Sequence, residues 1–487
     1  MKPQPPESRK LLLIIILLSA GISIFSLYRL SIRLDEAQSI WMSTKSIAAL
    51  LKITAEDVNL PLYGAILHFW MQFWGTRIEM VRTLSLIFFI ATLPVLYSMA
   101  EESSNKTMAL LTVALFSFSP FIIWYTSEAR TYTLFALISS LNHLFFLRYL
   151  RSKGDSGKLG YFLSTVAGLY THYFFLFFLA SQALYATISI IRKKERRYLW
   201  GYYGIMLAAF ACFSPWIYYV VKEGTASNTQ PLIPPPTSFN IIQAIVNFIF
   251  GFQSLPLQSA LISLWPISLI LLFFALTQKD KLGTKNLGYF FIMTFLPIAM
   301  VFTASYVRPI FLSRYLILAT PSLFLLIAWM LLNHPRKISF YLSSLSLVIM
   351  FGLLLFQNIS ASTPVKEDYR GATKYLESHA GPQDVVAISA PFTIYPIEYQ
   401  YHGTAKLETI PLWDRYVYGP IPVYSREKLV SQINAYRQQY QDVFVVLSYD
   451  QGYESDIKDY LDHNLERLSL EKFSETIEVR EYKLRYN

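Results

Sequence analysis

Apolar runs of about 20 residues, the length at which an α-helix crosses the hydrocarbon core of a bilayer, recur from residue 11 to residue 356 of this 487-residue chain. In lipid every backbone polar group must be satisfied within the chain, so spans of this kind can only be helices. Charged residues make up 15% of the sequence, against roughly 25% in average soluble domains, and mean hydropathy is +0.36. These features predict an α-helical polytopic membrane protein. The net charge of +10 does not point to nucleic acid, because the bases fall between the apolar runs, where a membrane places them. Cys212 is the single cysteine, which excludes an intrachain disulfide and a cysteine metal cluster.

Eleven spans are expected, near residues 11–29, 80–99, 107–125, 131–149, 159–171, 173–191, 199–221, 259–277, 287–304, 312–332 and 338–356. Lys2, Arg9 and Lys10 precede the first. Its length, and the lack of a small-residue cleavage site behind it, favour a retained anchor over a signal peptide. With the N-terminus in the cytoplasm, the inward loops carry Lys106; then Arg148, Arg151, Lys153 and Lys158; then Arg192, Lys193, Lys194, Arg196 and Arg197; then Lys279, Lys281 and Lys285; then Arg336 and Lys337. That distribution obeys the positive-inside rule and predicts an outward C-terminus. The segment 62–74 is too short to cross. Gly64, His68 and Gln72 recur every four residues along it, so an amphipathic helix at the outer interface, about 60–76, is expected. A second is expected at about 238–252, after the proline-rich turn from Pro231 to Pro236.

Beyond residue 356 the apolar runs shorten and charges become frequent. Helices are expected near 367–379, 425–439 and 455–466, strands near 384–389 and 443–447, and one or two more strands within 470–484. The predicted division is a transmembrane module, 1–356, and a small soluble extracytoplasmic α/β domain, 357–487.

With this topology the unusual polar residues gather on the outer side. Asp35 and Glu36 follow the first span. His68 lies in the first interfacial helix. Glu128 and Arg130 occupy a short turn, His172 a tight hairpin, and Arg308 and Arg314 flank the outer end of the tenth span. Each also has a plain structural reading: Glu128 and Arg130 as a turn-anchoring pair, the histidines as packing groups, Arg308 as a surface base. As a set they suit one chemistry. A carboxylate can take a proton from a hydroxyl, and arginines near headgroup level can grip a phosphate through forked hydrogen bonds. No P-loop and no glycine-rich nucleotide fingerprint occurs, so a sugar donor for this set would be lipid-linked. A transporter or flippase of lipid-linked sugars is the alternative. It fits less well, because transporters show repeats and ionisable groups near the midplane.

The ordered motifs resemble those of the polytopic GT-C glycosyltransferases, specifically the family 39 group of protein O-mannosyltransferases and bacterial aminoarabinose transferases. Leu34-Asp35-Glu36-Ala37 matches the acidic motif of the first outer loop. Leu60-Pro61-Leu62-Tyr63, Phe73-Trp74-Gly75 and Val81-Arg82 follow, with Leu60 in place of the usual first proline. Trp124-Tyr125-Thr126-Ser127-Glu128-Ala129-Arg130-Thr131-Tyr132 is similar to the next stretch, with Ser127 where glutamine is common. Tyr170-Thr171-His172-Tyr173, Ser313-Arg314-Tyr315 and Asp368-Tyr369-Arg370-Gly371 complete the set.

The resemblance implies an inverting transferase that uses a polyprenyl-phosphate sugar donor and an acceptor glycan, lipid or protein, within membrane lipid. It makes Asp35 the base, with Glu36 beside it. Glu128, Arg130, Tyr132, His172, Arg308, Arg314 and Tyr315 become candidate substrate contacts. Some relatives hold a divalent metal, for which Glu36, His68 and His172 are the candidate ligands here.

Overall fold

The computed structural model describes residues 6–57, 59–152, 156–192, 196–223, 234–360, 367–415 and 421–485. Lys2, Lys153, Lys193, Lys194 and Pro231 lie outside them. The chain forms two compact units. Among the described residues, one comprises those within 6–29, 59–223 and 234–360, and the other those within 30–57 and 367–485.

The first unit is helical and makes the chain an integral membrane protein. Among the described residues nine helices are long and apolar enough to span, from Glu7–Arg29 to Arg336–Ile359. The helices Lys106–Ser117 and Pro120–Thr126, bent by 62° at a short break, bring the count to ten when the pair is taken as one broken span. The break has a local cause. Pro120 opens the second half at its first turn, and proline disfavours helical backbone in the residue before it. The Ser119 hydroxyl accepts the Ile122 backbone N–H at 3.3 Å and donates to the Phe248 carbonyl at 2.7 Å.

The expected span at 159–171 forms only the 12-residue helix Lys158–Leu169. At 1.5 Å per residue it covers about 18 Å, short of the ~30 Å core. It ends because the chain reverses at residues 170–174, where the Phe175 ring packs where a Gly168 Cβ would stand. The segment expected to lie flat near 62–74 forms Pro61–Trp74, which buries Tyr63, Leu67 and Met71 along one side. His68 and Gln72 share the neighbouring stripe, their side-chain nitrogens 2.8 Å apart. The second short helix forms at Ser238–Phe250.

Polar groups in the bundle interior are linked to one another. His143 Nδ1 lies 2.7 Å from the Tyr289 hydroxyl, Gln182 Nε2 donates to that hydroxyl at 3.0 Å, and the Tyr161 hydroxyl donates to Gln182 Oε1 at 3.1 Å. Arg82 is fully buried, and its Nη1 donates to the Leu27 carbonyl at 2.7 Å. Arg148 and Arg151 both pair with Glu102.

The second unit is built on a five-stranded sheet of β1 (Val385–Ser389), β2 (Lys406–Thr409), β3 (Asp442–Ser448), β4 (Glu466–Ser474) and β5 (Ile477–Lys483), in the order β2-β1-β3-β5-β4. β1 runs parallel to β2 and β3, while β5 is antiparallel to β3 and β4. The central strands are buried on both faces, which explains their unbroken apolar sequences. Val385, Ala387, Val443 and Val445 face a layer containing Leu429, Ile433, Ile457 and Leu461. Val386, Ile388, Phe444 and Val446 face Tyr369, Leu376 and Ile397. The same unit holds helices Leu34–Ser43 and Ile47–Glu56. Trp41 of the former meets Tyr395, ring centroids 5.1 Å apart.

Candidate functional site

In the helical unit, three separate turns bring polar groups together. The bend at Pro120 leads into the turn 127–131, where the Arg130 N–H donates to the Glu128 carbonyl at 2.8 Å. The Thr131 hydroxyl donates to the Thr171 carbonyl at 3.3 Å, tying this turn to the hairpin that carries His172. The Leu62 N–H donates to the Tyr170 carbonyl at 3.1 Å and fixes the hairpin from another side. The third element is the 3₁₀ helix Ser313–Ala319, which carries Arg314 and Tyr315.

His172 is the meeting point. Its ring stacks on Phe135 at 5.0 Å and lies 5.1 Å from Tyr315. The Arg314 guanidinium sits 5.4 Å from the centre of the Tyr315 ring. Burial, with the charges of Arg130 and Arg314, pushes the His172 imidazole down to about 3. The ring is therefore neutral at physiological pH. The Phe174 N–H donates to Nδ1 at 3.2 Å, which assigns the remaining proton to Nε2. Two guanidinium groups beside a neutral imidazole N–H form an environment for an anion, and forked guanidinium donors match phosphate well.

Glu128 and Tyr132 are buried supports of this turn. The Glu128 carbonyl accepts the Ser85 hydroxyl at 2.7 Å, and the Tyr132 ring meets Tyr125 at 4.7 Å. Arg308 stands exposed in the turn after helix Leu287–Ala304. Arg130, His172, Arg314 and Tyr315 are thus the predicted residues brought together here.

Asp35 and Glu36 fall in the sheet unit, in the first turn of helix Leu34–Ser43. Their environments differ. Glu36 is fully buried, and its Oε2 accepts the Arg33 backbone N–H at 3.3 Å, one half of a capping box. Asp35 keeps part of its surface. A third carboxylate, Glu367, belongs to the same cluster. It accepts the Leu34 N–H at 3.2 Å and the Tyr449 hydroxyl. Burial pushes the Glu367 carboxyl up, and the Asp35 charge adds to the rise. Glu367 belongs to no motif itself; its one sequence signal is its place directly before the motif Asp368-Tyr369-Arg370-Gly371.

No group of three or more His, Cys, Asp or Glu gathers as metal ligands among the described residues. The surroundings of His172 also fit a cation poorly, since Nδ1 is engaged and two guanidinium groups lie near. Glu36 is committed to its helix start, and His68 to Gln72.

Residues 59–219 match the family of dolichyl-phosphate-mannose-protein mannosyltransferases. The fold is similar to that of ArnT from Cupriavidus metallidurans. In its apo state the TM-score is 0.61 at 11% identity, covering 96% of this chain and 97% of that one. With undecaprenyl phosphate bound to ArnT, the score is 0.60 at 10% identity and the same coverage. The family match covers one stretch of the helical unit, and the fold likeness to ArnT extends over nearly the whole chain. No curated protein matches this chain in sequence. The motif at residues 124–132, which carries Arg130, lies inside the matched stretch, and so does His172.

Proposed function

We propose that this chain transfers a sugar from a polyprenyl-phosphate donor to an acceptor hydroxyl or amine with inversion at the anomeric carbon. The observation that carries the reading is the anion environment formed by Arg130, Arg314 and the neutral His172. A polyprenyl-phosphate sugar is a phosphodiester with one negative charge. When the bond from the anomeric carbon to phosphate oxygen breaks, the electron pair stays on oxygen, and the leaving phosphate carries two charges. Guanidinium groups placed at that phosphate bind the transition state more strongly than the ground state. No general acid is needed for a leaving group this stable.

Asp35 is the proton acceptor in this reading. It takes the acceptor proton as the acceptor oxygen or nitrogen bonds to the anomeric carbon from the face opposite phosphate, through an oxocarbenium-like state. Two local features support Asp35 over Glu36: Glu36 is spent on its helix start, and Asp35 retains accessible surface. Glu128, Tyr132 and Tyr315 support the phosphate-binding turns, while Arg308 is a headgroup contact. A divalent metal is not required by this scheme. The distribution of loop bases favours a cytoplasmic N-terminus with the active site and C-terminus outside, an arrangement that requires the short helix Lys158–Leu169 and the chain around it to complete a crossing.

The test is reconstitution of the full chain with undecaprenyl-phosphate mannose in membranes that contain native acceptors. Wild type should consume donor, release undecaprenyl phosphate and yield a glycosylated product. Asp35→Asn should lower transfer by about 10²–10⁴-fold at unchanged membrane abundance and donor binding. Normal transfer by Asp35→Asn removes Asp35 from the mechanism, and movement of donor between leaflets without bond cleavage supports a flippase.

A further inference from the structure

One cavity in the helical unit shares only Ser313 with the residues that the motifs single out. Its volume is about 310 Å³, at the lower end of the roughly 300–1,000 Å³ of small-ligand sites. Its polar lining consists of Asn240, Gln243, Asn247, Gln253, Gln258 and Ser313. Five of these six residues are carboxamides, and none of the six ionises. Asn240, Gln243 and Asn247 recur at helical spacing and place three carboxamides on one face of helix Ser238–Phe250. Phe252 and Phe311 supply apolar wall.

The turn that delivers Gln253 is held tightly. Gly251 has φ +73°, and a Cβ there would stand 2.2 Å from Gln357 Oε1 and 2.5 Å from Pro120 Cβ. Gln357 accepts the Phe252 N–H at 2.6 Å and donates to the Pro120 carbonyl at 3.0 Å. Within the lining, Gln258 Nε2 donates to Asn247 Oδ1 at 2.6 Å, and Asn247 Nδ2 lies 3.5 Å from Ser313 Oγ. Gln253 Nε2 donates to the Phe250 carbonyl at 2.6 Å. Gln253 is 2% exposed, yet its Oε1 has no hydrogen-bond partner among the described residues. A buried acceptor left in that condition bears an uncompensated desolvation penalty, which a ligand hydroxyl would relieve.

We propose that this cavity is the subsite for an uncharged, hydroxyl-bearing sugar ring. The inference rests on the lipid-linked-sugar reading and adds the class of sugar. Hydroxyl groups donate and accept at once, and carboxamides offer both partners. An ammonium-bearing sugar would find no carboxylate in the lining, and a uronate would find no base. Ser313 lines the cavity and directly precedes Arg314, so the subsite borders the phosphate-binding group. The ring could belong to the donor or to the end of an acceptor glycan.

The experiment uses the full chain in lipid nanodiscs and four probes: undecaprenyl phosphate, the same lipid carrying mannose, the same lipid carrying 4-amino-4-deoxyarabinose, and free methyl mannoside. Wild type should bind the mannosyl lipid more tightly than the amino-sugar lipid. Gln253→Leu should weaken the mannosyl lipid at least tenfold and leave undecaprenyl phosphate unchanged, which assigns the subsite to the donor. A selective loss of methyl mannoside, with all lipids unchanged, assigns it to the acceptor. Gln253→Glu keeps the side-chain shape, adds a carboxylate, and should shift preference toward the amino-sugar lipid, so the inference stays testable if the leucine variant folds poorly.

The subsite is overturned if both variants bind all four probes as wild type does, or if wild type prefers the amino sugar. Wild type that binds methyl mannoside but no lipid overturns the lipid-donor reading alone. Wild type that binds all three lipids equally and no methyl mannoside overturns the subsite alone.

Discussion

His143 and His172 lie in the same helical unit, both packed against phenylalanine, yet their surroundings differ in one decisive way. His143 is fully buried, with Nδ1 on the Tyr289 hydroxyl and its ring 4.8 Å from Phe178. The groups linked to it, Tyr289, Gln182 and Tyr161, are neutral. His172 instead has Arg130 and Arg314 as electrostatic neighbours. Hydrogen bonds among neutral groups order this core, although His143 Nε2 has no partner among the described residues. In the function proposed above, two cations beside a ring that is neutral at physiological pH favour a negatively charged guest. Burial alone does not separate the two histidines; the charge of their neighbours does.

The contrast breaks most visibly at Arg314. Arg314→Ala should lower transfer by about 10²–10³-fold with little change in thermal unfolding, read from product formation and from melting in detergent. Arg314→Lys should fall between, because it keeps the charge and loses the fork. His143→Phe should do the reverse. It removes a buried hydrogen bond and should cost on the order of 1–3 kcal/mol of stability, seen as a lowered melting temperature, with transfer near wild type well below it. A His143→Phe protein that melts normally but transfers slowly would erase the distinction between the two rings. His172→Phe should raise the KM for donor severalfold and move melting less than His143→Phe does.

The smallest effect is in titration. Because the folded His172 sits at about 3 and an unfolded histidine near 6.5, the folded state binds fewer protons between those values. Stability from the neutral ring is thus complete above about pH 6.5 and declines as pH falls toward 3. Transfer should show no inflection from His172 between pH 5 and 8. Arg130→Ala should move its titration upward, measurable by NMR of labelled histidine. An unmoved value would show that Arg130 exerts no field on the ring.

Much of the membrane unit was legible because length and hydropathy report spanning helices directly. The bend at Ser119-Pro120 and the short helix Lys158–Leu169 were not, since apolar composition continues through both. Arg130, His172 and Arg314 could be singled out because charges and imidazoles are rare in apolar sequence. Whether they met could not be read, as they come from three turns far apart in the chain. Gln253 and its neighbours escaped notice because carboxamides do not titrate and leave no charge signal. The face formed by Asn240, Gln243 and Asn247 was readable in principle from helical spacing.

In the sheet unit, β1 and β3 were visible as short apolar blocks. β2, only Lys406-Leu407-Glu408-Thr409, was too short and too charged. Residues 30–57 follow a spanning helix and carry no mark of belonging with a sheet built some 350 residues later; the ring contact of Trp41 with Tyr395 is a tertiary fact.

The 62° break after Ser117 also has a mechanical consequence for substrate handling. Measured along the axis of Lys106–Ser117, the seven residues Pro120–Thr126 advance roughly 5 Å less than a straight continuation would. The arginine-bearing turn is drawn back by that distance instead of standing proud of the bundle. A polyisoprenoid would then meet it without being hauled outward, and so would avoid hydrating chain carbons at about 0.8 kcal/mol for each methylene. If the donor is lipid-linked as proposed, a kink of one serine and one proline thereby spares the chain the work of lipid extraction.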